Sequence, residues 1–391
     1  MNICLVSTSY PPEDVGGIGT YIYNLAQGLV ELGHNVFVIT QSRLIDSRKA
    51  STQEGVTVIR IPMQQIPFVE SFFPGLAWSW VVSQEIERLD RNHRIDVVEF
   101  PNWEGPGFVY LMKFKRRRVV TRMHTPYFES LKIKEGKLVS FGDRFTCLLE
   151  KLSCQMSDVL TSSTNYHKNM MSEEYNFASR NTHIIPLGLK YPKVVPSKTK
   201  KEKITILYVS RMETRKGTID FINVIPDLLS LHDNIEFILI GQDRPLAPGN
   251  ITHEEYFKKK YKDNNSQVKF LGCISDNERD HYYSECDIFV VPSIYESFGL
   301  IFVEAMSYAK PVIGCVAGGV PEVVSNGESG ILVETGNLKQ LREAISKLIN
   351  DEELRLTIGM AARRSVEQKF NYKKMSELTE KLYKEVVLHN C

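Results

Sequence analysis

The sequence predicts an α/β protein of two doubly wound domains, each a parallel sheet covered by helices, facing a central cleft. Three observations carry this expectation. The 391 residues exceed one ordinary core and suit two domains. Short β-rich apolar runs alternate with longer amphipathic stretches, as parallel strands joined by crossover helices do. The alternation breaks once, at a Lys- and Pro-rich stretch, and then resumes.

In chain order, NICLVSTS reads as the first strand and TYIYNLAQGLVELG as a helix stopped by Gly33. NVFVITQ, VTVIRIP, IDVVEFP, RVVTRMH and VLTSS follow as strands. Residues 191–203, YPKVVPSKTKKEK, have little to pack and read as the linker between domains 1–190 and 204–370. The second series is ITILYVSR, IEFILIGQ, VKFLG, IFVVPS, PVIGCV and GILV. After it, Met375, Leu378, Leu382 and Val386 recur at helical spacing, so residues 373–391 form an amphipathic helix.

Composition narrows the function classes. A net charge of +1 supplies no global field toward nucleic acid. Seven cysteines without a C-x-x-C pair argue against a zinc site or disulfide framework and for a reducing cytoplasm. No basic leader opens the chain, and no apolar run approaches the ~20 residues of a membrane helix. The stretch IPFVESFFPGLAWSW reads as helix core or as an aromatic edge toward an acceptor or membrane. KFKRRR, with five cations in six positions, reads as a solvated helix end, with anionic lipid at the inner membrane face as the alternative.

Doubly wound sheets bind ligands beyond the carboxyl ends of their strands, so the loops there matter most. After the first strand, taken to end at Ser9, Gly16, Gly17 and Gly19 open a helix. Glycines admit close backbone approach, and a helix N-terminus offers free N–H groups to an anion. The spacing fits neither the dinucleotide fingerprint nor the P-loop. A plain glycine turn is the simpler alternative. In YVSRMETRKG the strand is taken to end at Ser210, and Arg211 and Lys216 flank the loop before Gly217. Two cations beside a helix start make a diphosphate clamp that needs no metal, with a solvated, charged turn as the plainer alternative. In PSIYESFGLIFVEAMSYAKPVIGCVAGGVPEVV, Glu296 lies in the loop after a strand, SFGL opens a helix, and Glu304 falls about two turns in. A carboxylate at that place suits two neighbouring ribose hydroxyls; a helix with two ordinary surface glutamates is the alternative. Asn102, Trp103 and Glu104 follow another strand, where an aromatic stacks on a sugar or packs into its own loop. His124 ends RVVTRMH.

This set of motifs resembles the retaining glycosyltransferases of family 4, which have the GT-B fold of two Rossmann-like domains. Glu296 and Glu304 match the family's E-x7-E signature, VSRMETRKG its Arg…Lys-Gly clamp, and STSYPPEDVGGIGTYIYNL its opening glycine loop. The likeness spans nearly the whole chain and is densest from Ile204 to Val333. It implies that Arg211 and Lys216 bind a donor diphosphate, Glu304 the ribose, and Glu296 with Phe298, Gly299 and Leu300 the donor sugar. It further implies that Gly16, Gly17 and Ser210 approach the phosphates, that backbone near Cys273 and Ile274 meets the base, and that His124 lies by the sugar. Asn102, Trp103, Glu104 and His124 would face the acceptor. Two departures from the family are Thr125, where many members carry Asp, and Ala309, where glycine is usual.

The implied reaction moves a hexose-type sugar from a nucleotide sugar, UDP-linked by default, to a hydroxyl of a glycan, lipid-linked sugar or small metabolite. It proceeds with retention, at the front face, without metal; no D-x-D occurs in the chain. Glu296, His124, Arg211 and Lys216 would carry catalysis, with no cofactor. The last helix is expected to pack back on the first domain. A GT-B nucleotide-sugar epimerase and a non-catalytic sugar-nucleotide binding protein are the competing readings.

Overall fold

Each apolar run named above folds as a strand, because β-branched and aromatic residues there fill both faces of a covered sheet. The computed structural model describes residues 1–13, 16–63, 74–132, 140–177, 182–193, 203–261 and 266–388. The chain forms two units: Met1–Lys190 with Asn371–Cys391, and Tyr191–Phe370.

Unit 1 holds β1 (Asn2–Val6), β2 (Asn35–Ser42), β3 (Lys49–Gln53), β4 (Val56–Pro62), β5 (Val97–Pro101), β6 (Arg118–Arg122), β7 (Val159–Ser162) and β8 (Thr182–Ile184). Their order is β3-β4-β2-β1-β5-β6-β7-β8. All pairs are parallel except β3 with β4, an antiparallel edge. β3 and β8 carry no apolar run to read, because KASTQ is polar and mostly exposed and β8 has only three residues. β1 ends at Val6 rather than at Ser9; Ser7 still donates its N–H to Ile39 O, so the extended course continues past the ladder. One face of the sheet packs Cys4, Val6, Ile39, Val98 and Phe100 against Trp78, Val82 and Ile86 of the helix Pro74–His93. Trp78 is thus core, whereas Trp80 is 49% exposed. Residues 64–73, which carry the rest of that aromatic stretch, lie outside the described residues.

The helix Tyr372–Leu388 buries Met375, Leu382, Tyr383 and Val386 within unit 1, while Leu378 is left at the margin of exposure. It lies against the helix Gly17–Glu31: Ser376 fits where a Cβ on Gly28 would stand. The Tyr383 hydroxyl donates to Glu99 Oε2 at 2.7 Å and the Tyr21 hydroxyl to Oε1 at 2.7 Å.

The basic run is not simply solvated. Arg116 and Arg118 pair with Asp158, Arg117 with Asp90, and Lys113 with Glu87. These carboxylates occupy neighbouring helices and turns, and they neutralise most of the patch where it stands.

Unit 2 holds β9 (Ile204–Val209), β10 (Ile235–Ile240), β11 (Val268–Gly272), β12 (Ile288–Val290), β13 (Val312–Cys315) and β14 (Gly330–Val333). The sheet is parallel in the order β11-β10-β9-β12-β13-β14. Ile206, Leu207, Phe237, Leu239, Phe289 and Ile313 are buried in it. Ser210 stands just beyond β9 rather than at its end. Tyr191 and Pro192 pack on unit 2: the Arg363 guanidinium lies 4.4 Å over the Tyr191 ring and donates to Pro192 O. Residues 194–202 of the expected linker lie outside the described residues.

Candidate active site

In unit 2 the chain winds outward from β9 to β11, then returns to β12 on the other side of β9. The loops after β9 and β12 therefore leave in opposite senses and open a crevice at the carboxyl ends of the strands. Gly217, at φ 63°, links the 3-10 turn Thr214–Lys216 to the helix Thr218–Leu231. A Cβ on Gly217 would run into the Pro292 carbonyl, so glycine is what lets the two loops touch. Ile294 N–H donates to Arg215 O at 2.8 Å and completes the contact.

At that junction Lys216 Nζ donates to Glu296 Oε1 at 2.5 Å, and Ser293 Oγ donates to the same oxygen at 2.8 Å. Arg215 Nη1 stands 3.9 Å from Glu296 Oε2, and its Nη2 donates to Glu213 Oε1 at 2.9 Å. Burial raises the Glu296 pKa, but Lys216 and Arg215 more than offset this and hold the carboxyl below its ordinary range. Burial lowers Lys216, against the pull of Glu296. The backbone of Glu296 is fixed as well. Its carbonyl accepts from Gly319 N–H at 2.7 Å, and Gly318, at φ 58°, lies where a Cβ would run into that carbonyl. Arg211, by contrast, is 64% exposed and reaches Glu213 only at 3.7 Å.

Gly299, at φ 88°, caps the helix Leu300–Ser307, and no side chain closes its N-terminus. Phe298 is buried, edge-on to Phe370. Glu304 sits little more than one turn into this helix, not two, because the helix begins at Leu300. It forms a separate group: Tyr283 OH donates to its Oε2 at 2.8 Å, and Arg279 acts on it through space. Burial still leaves its pKa above the ordinary value. Ser210 and the pair Cys273 and Ile274 follow β9 and β11, at the same carboxyl end of the parallel strands; Cys273 is exposed.

In unit 1, Gly16 caps the helix Gly17–Glu31 without a side-chain bond, and a Cβ on Gly16 or Gly17 would meet no described atom within 4 Å. His124 lies two residues past β6. Its N–H donates to Asn102 Oδ1 at 2.7 Å, which ties the loops after β5 and β6. Its ring stands edge-on to Tyr21, and Nε2 finds no partner among the described residues. Burial, with Arg122 and His167 nearby, holds its pKa well below the usual histidine value, so the ring is neutral. Trp103 packs at 5.3 Å against Tyr127, and Glu104 takes φ 62°.

Two sequence profiles match the chain. Glycosyltransferase Family 4 covers residues 15–190, and Glycosyl transferases group 1 covers residues 193–365. The chain belongs to these glycosyltransferases. An uncharacterized glycosyltransferase of Methanocaldococcus jannaschii is 25% identical over 405 residues, covering 98% of each chain. Sucrose-phosphate synthase of Thermosynechococcus elongatus superposes with a TM-score of 0.78 at 22% identity, over 99% of both chains. Anabaena HepE in complex with UDP-glucose gives 0.71 at 19% identity, over 98% of this chain and all of the other. The fold of this glycosyltransferase is GT-B.

Arg215, Ser293, Tyr283 and Arg279 were not singled out in the sequence. Arg215 lay between the two motif cations, and the other three carry no spacing signal. Among the described residues no group of three or more His, Cys, Asp or Glu is placed to hold a metal ion, and no helix is long and apolar enough to cross a membrane.

Proposed function

We propose that this glycosyltransferase moves a hexose-type sugar, with retention, from a nucleoside-diphosphate sugar to a hydroxyl acceptor, and that UDP-glucose is the donor to try first. The observation that carries the reading is the Lys216–Glu296 pair at the crevice between β9 and β12, flanked by Arg215. It is a fixed, buried arrangement of charge of the kind that stabilises a departing diphosphate.

Unit 2 takes the donor. Arg211, largely free in solvent, turns to the diphosphate beside Lys216, and the open N-terminus of Leu300–Ser307 adds its N–H groups. Glu304 receives the ribose hydroxyls, and Cys273 and Ile274 present backbone to the base. Unit 1 takes the acceptor, with Asn102, Trp103, Glu104 and His124 around it and Gly16 and Gly17 beside the phosphates. The bond from the anomeric carbon to the diphosphate breaks, and the acceptor oxygen bonds to the same face of that carbon. The acceptor's proton passes to the leaving phosphate oxygen. Glu296, ionised and held by Lys216 and Ser293, orients sugar hydroxyls and does not attack. The cations of the chain replace a metal, so transfer persists in EDTA.

The test is incubation with UDP-, GDP- and ADP-sugars and a panel of glycan, lipid-linked and small acceptors. Free nucleotide with an α-linked product from an α-linked donor is the expected outcome. An epimerised donor, or binding without turnover, overturns the reading. A glycosyl adduct on Glu296, trapped by mass spectrometry, overturns the front-face step.

A further inference from the structure

The helix Phe141–Met156 carries a carboxylate that the donor chemistry does not use. Glu150 is fully buried. Its Oε1 accepts Glu104 N–H at 2.9 Å, from the loop after β5. Its Oε2 accepts Tyr127 N–H at 2.9 Å, where the loop after β6 enters the helix Tyr127–Lys132, and Tyr175 OH at 2.6 Å. The two backbone donors belong to the loops that hold Trp103 and His124, and the Trp103 and Tyr127 rings meet 5.3 Å apart. The fit is tight on both sides. Gly105, at φ 64°, follows Glu104, and a Cβ there would press on the Leu149 backbone, one residue before Glu150. A carboxylate with one oxygen for each loop is a bridge that no neutral side chain of the same size reproduces, since an amide offers one acceptor and one donor.

We propose that Glu150 is a positioning residue that sets the spacing of the Trp103–Glu104 and His124–Tyr127 loops, and with it the acceptor side of the site. This rests on the reading that unit 1 takes the acceptor. Protonating Glu150 would turn one accepting oxygen into a donor and release one loop. Burial raises its pKa to about 7, against the hydrogen bonds from Tyr175, Tyr127 and Glu104, with the Glu104 carboxylate adding to the rise. Cys147 and Cys154 of its own helix also face it, both held as thiols, and Asp143 lies one partner away, accepting from Tyr127 OH.

The test uses the full chain labelled with 5-fluorotryptophan, whose three fluorine resonances report Trp78, Trp80 and Trp103. The Trp103 line is assigned by its loss in Trp103→Phe. In the wild type that line should shift between pH 5.5 and 8.5 with a midpoint near 7, while the Trp78 line stays still. In Glu150→Gln at pH 8.5 it should move by more than its width and no longer titrate, with UDP-glucose binding by calorimetry within twofold of wild type. Should Glu150→Gln not fold, Tyr175→Phe decides: it keeps both loop bonds, matches wild type at pH 8.5 and moves the midpoint upward. A Trp103 line identical in Glu150→Gln and wild type, a midpoint unmoved in Tyr175→Phe, or donor binding lost with Glu150 overturns the proposal. A wild type that does not bind UDP-glucose would sink the donor reading, and the fluorine spectra would still decide the role of Glu150 on the loops.

Discussion

Lys216 Nζ lies 2.5 Å from Glu296 Oε1, with the two side chains only 10% and 8% exposed. The pair joins the loop after β9 to the loop after β12, so the charges that would meet the donor are also the strut between the two loops.

Removing one partner strands the other charge in a buried place, which costs about 3–5 kcal/mol, whereas removing both costs less. Lys216→Met should therefore lower the urea midpoint of unfolding more than Lys216→Met with Glu296→Leu. Both variants should lose transfer. A double variant less stable than the single would contradict a strut.

Gly318→Ala should weaken UDP-glucose binding at least tenfold while circular dichroism stays native. The residue sits at φ 58°, and its new methyl would push the Glu296 carbonyl away. Calorimetry giving an unchanged Kd would mean that the Glu296 backbone is not held as described.

Tyr283→Phe removes the hydroxyl that donates to Glu304 Oε2. One such bond to a charged group is worth about 1.5 kcal/mol, so UDP affinity should fall roughly tenfold through a misplaced Glu304. Uracil alone, which lacks the ribose, should show no difference between the two proteins.

His167 is fully buried, and burial, with Arg122 nearby, lowers its pKa to about 3. The unfolded chain takes a proton there below about 6.5, and the folded chain does not until near 3. Its contribution to stability is therefore complete above 6.5 and is lost as pH falls toward 3. Glu150, with a raised pKa, runs the other way: its share is complete below the ordinary carboxylate value and is lost as pH rises through about 7. His167→Asn, which can keep the bond to Ser162 Oγ, should lose less stability than wild type between pH 7 and 4.5. Urea midpoints at the two pH values check it, and equal losses would mean that His167 is not the source.

Ala309 adopts φ 56° just after the helix Leu300–Ser307, a left-handed turn where a Cβ costs about 1–2 kcal/mol. Ala309→Gly should raise stability by about 0.5–1 kcal/mol once the added freedom of the unfolded glycine is subtracted. A lower melting temperature would show that the methyl packs better than its backbone suggests.

How much was legible follows from what each residue depends on. Both sheets could be read, because strands covered on two faces are written as unbroken apolar runs such as ILYV and FILI. Lys216 and Glu296 could be singled out because each follows such a run. Arg215 could not be ranked above its neighbours, since its meaning comes from Glu213 and Glu296, the latter 81 positions away. Tyr283 and Glu304 meet across two helices, and Glu150 is one acidic residue in an amphipathic pattern; neither carries a local signal. The partners of the basic run carry no local signal either, because Asp90 and Asp158 reach it only in three dimensions.

Unit 2 is one unbroken stretch, whereas unit 1 is closed by Tyr372–Leu388, which follow unit 2 in the chain. On a ribosome the order of completion is thus the reverse of the order of writing. The later unit has all its strands and helices in hand while the earlier one still lacks a helix. Until that helix emerges, Leu25 and Gly28 have no cover and the Glu99 carboxylate has one tyrosine instead of two. The nascent protein would thus finish unit 2 first and leave unit 1 unclosed until translation passes Val386.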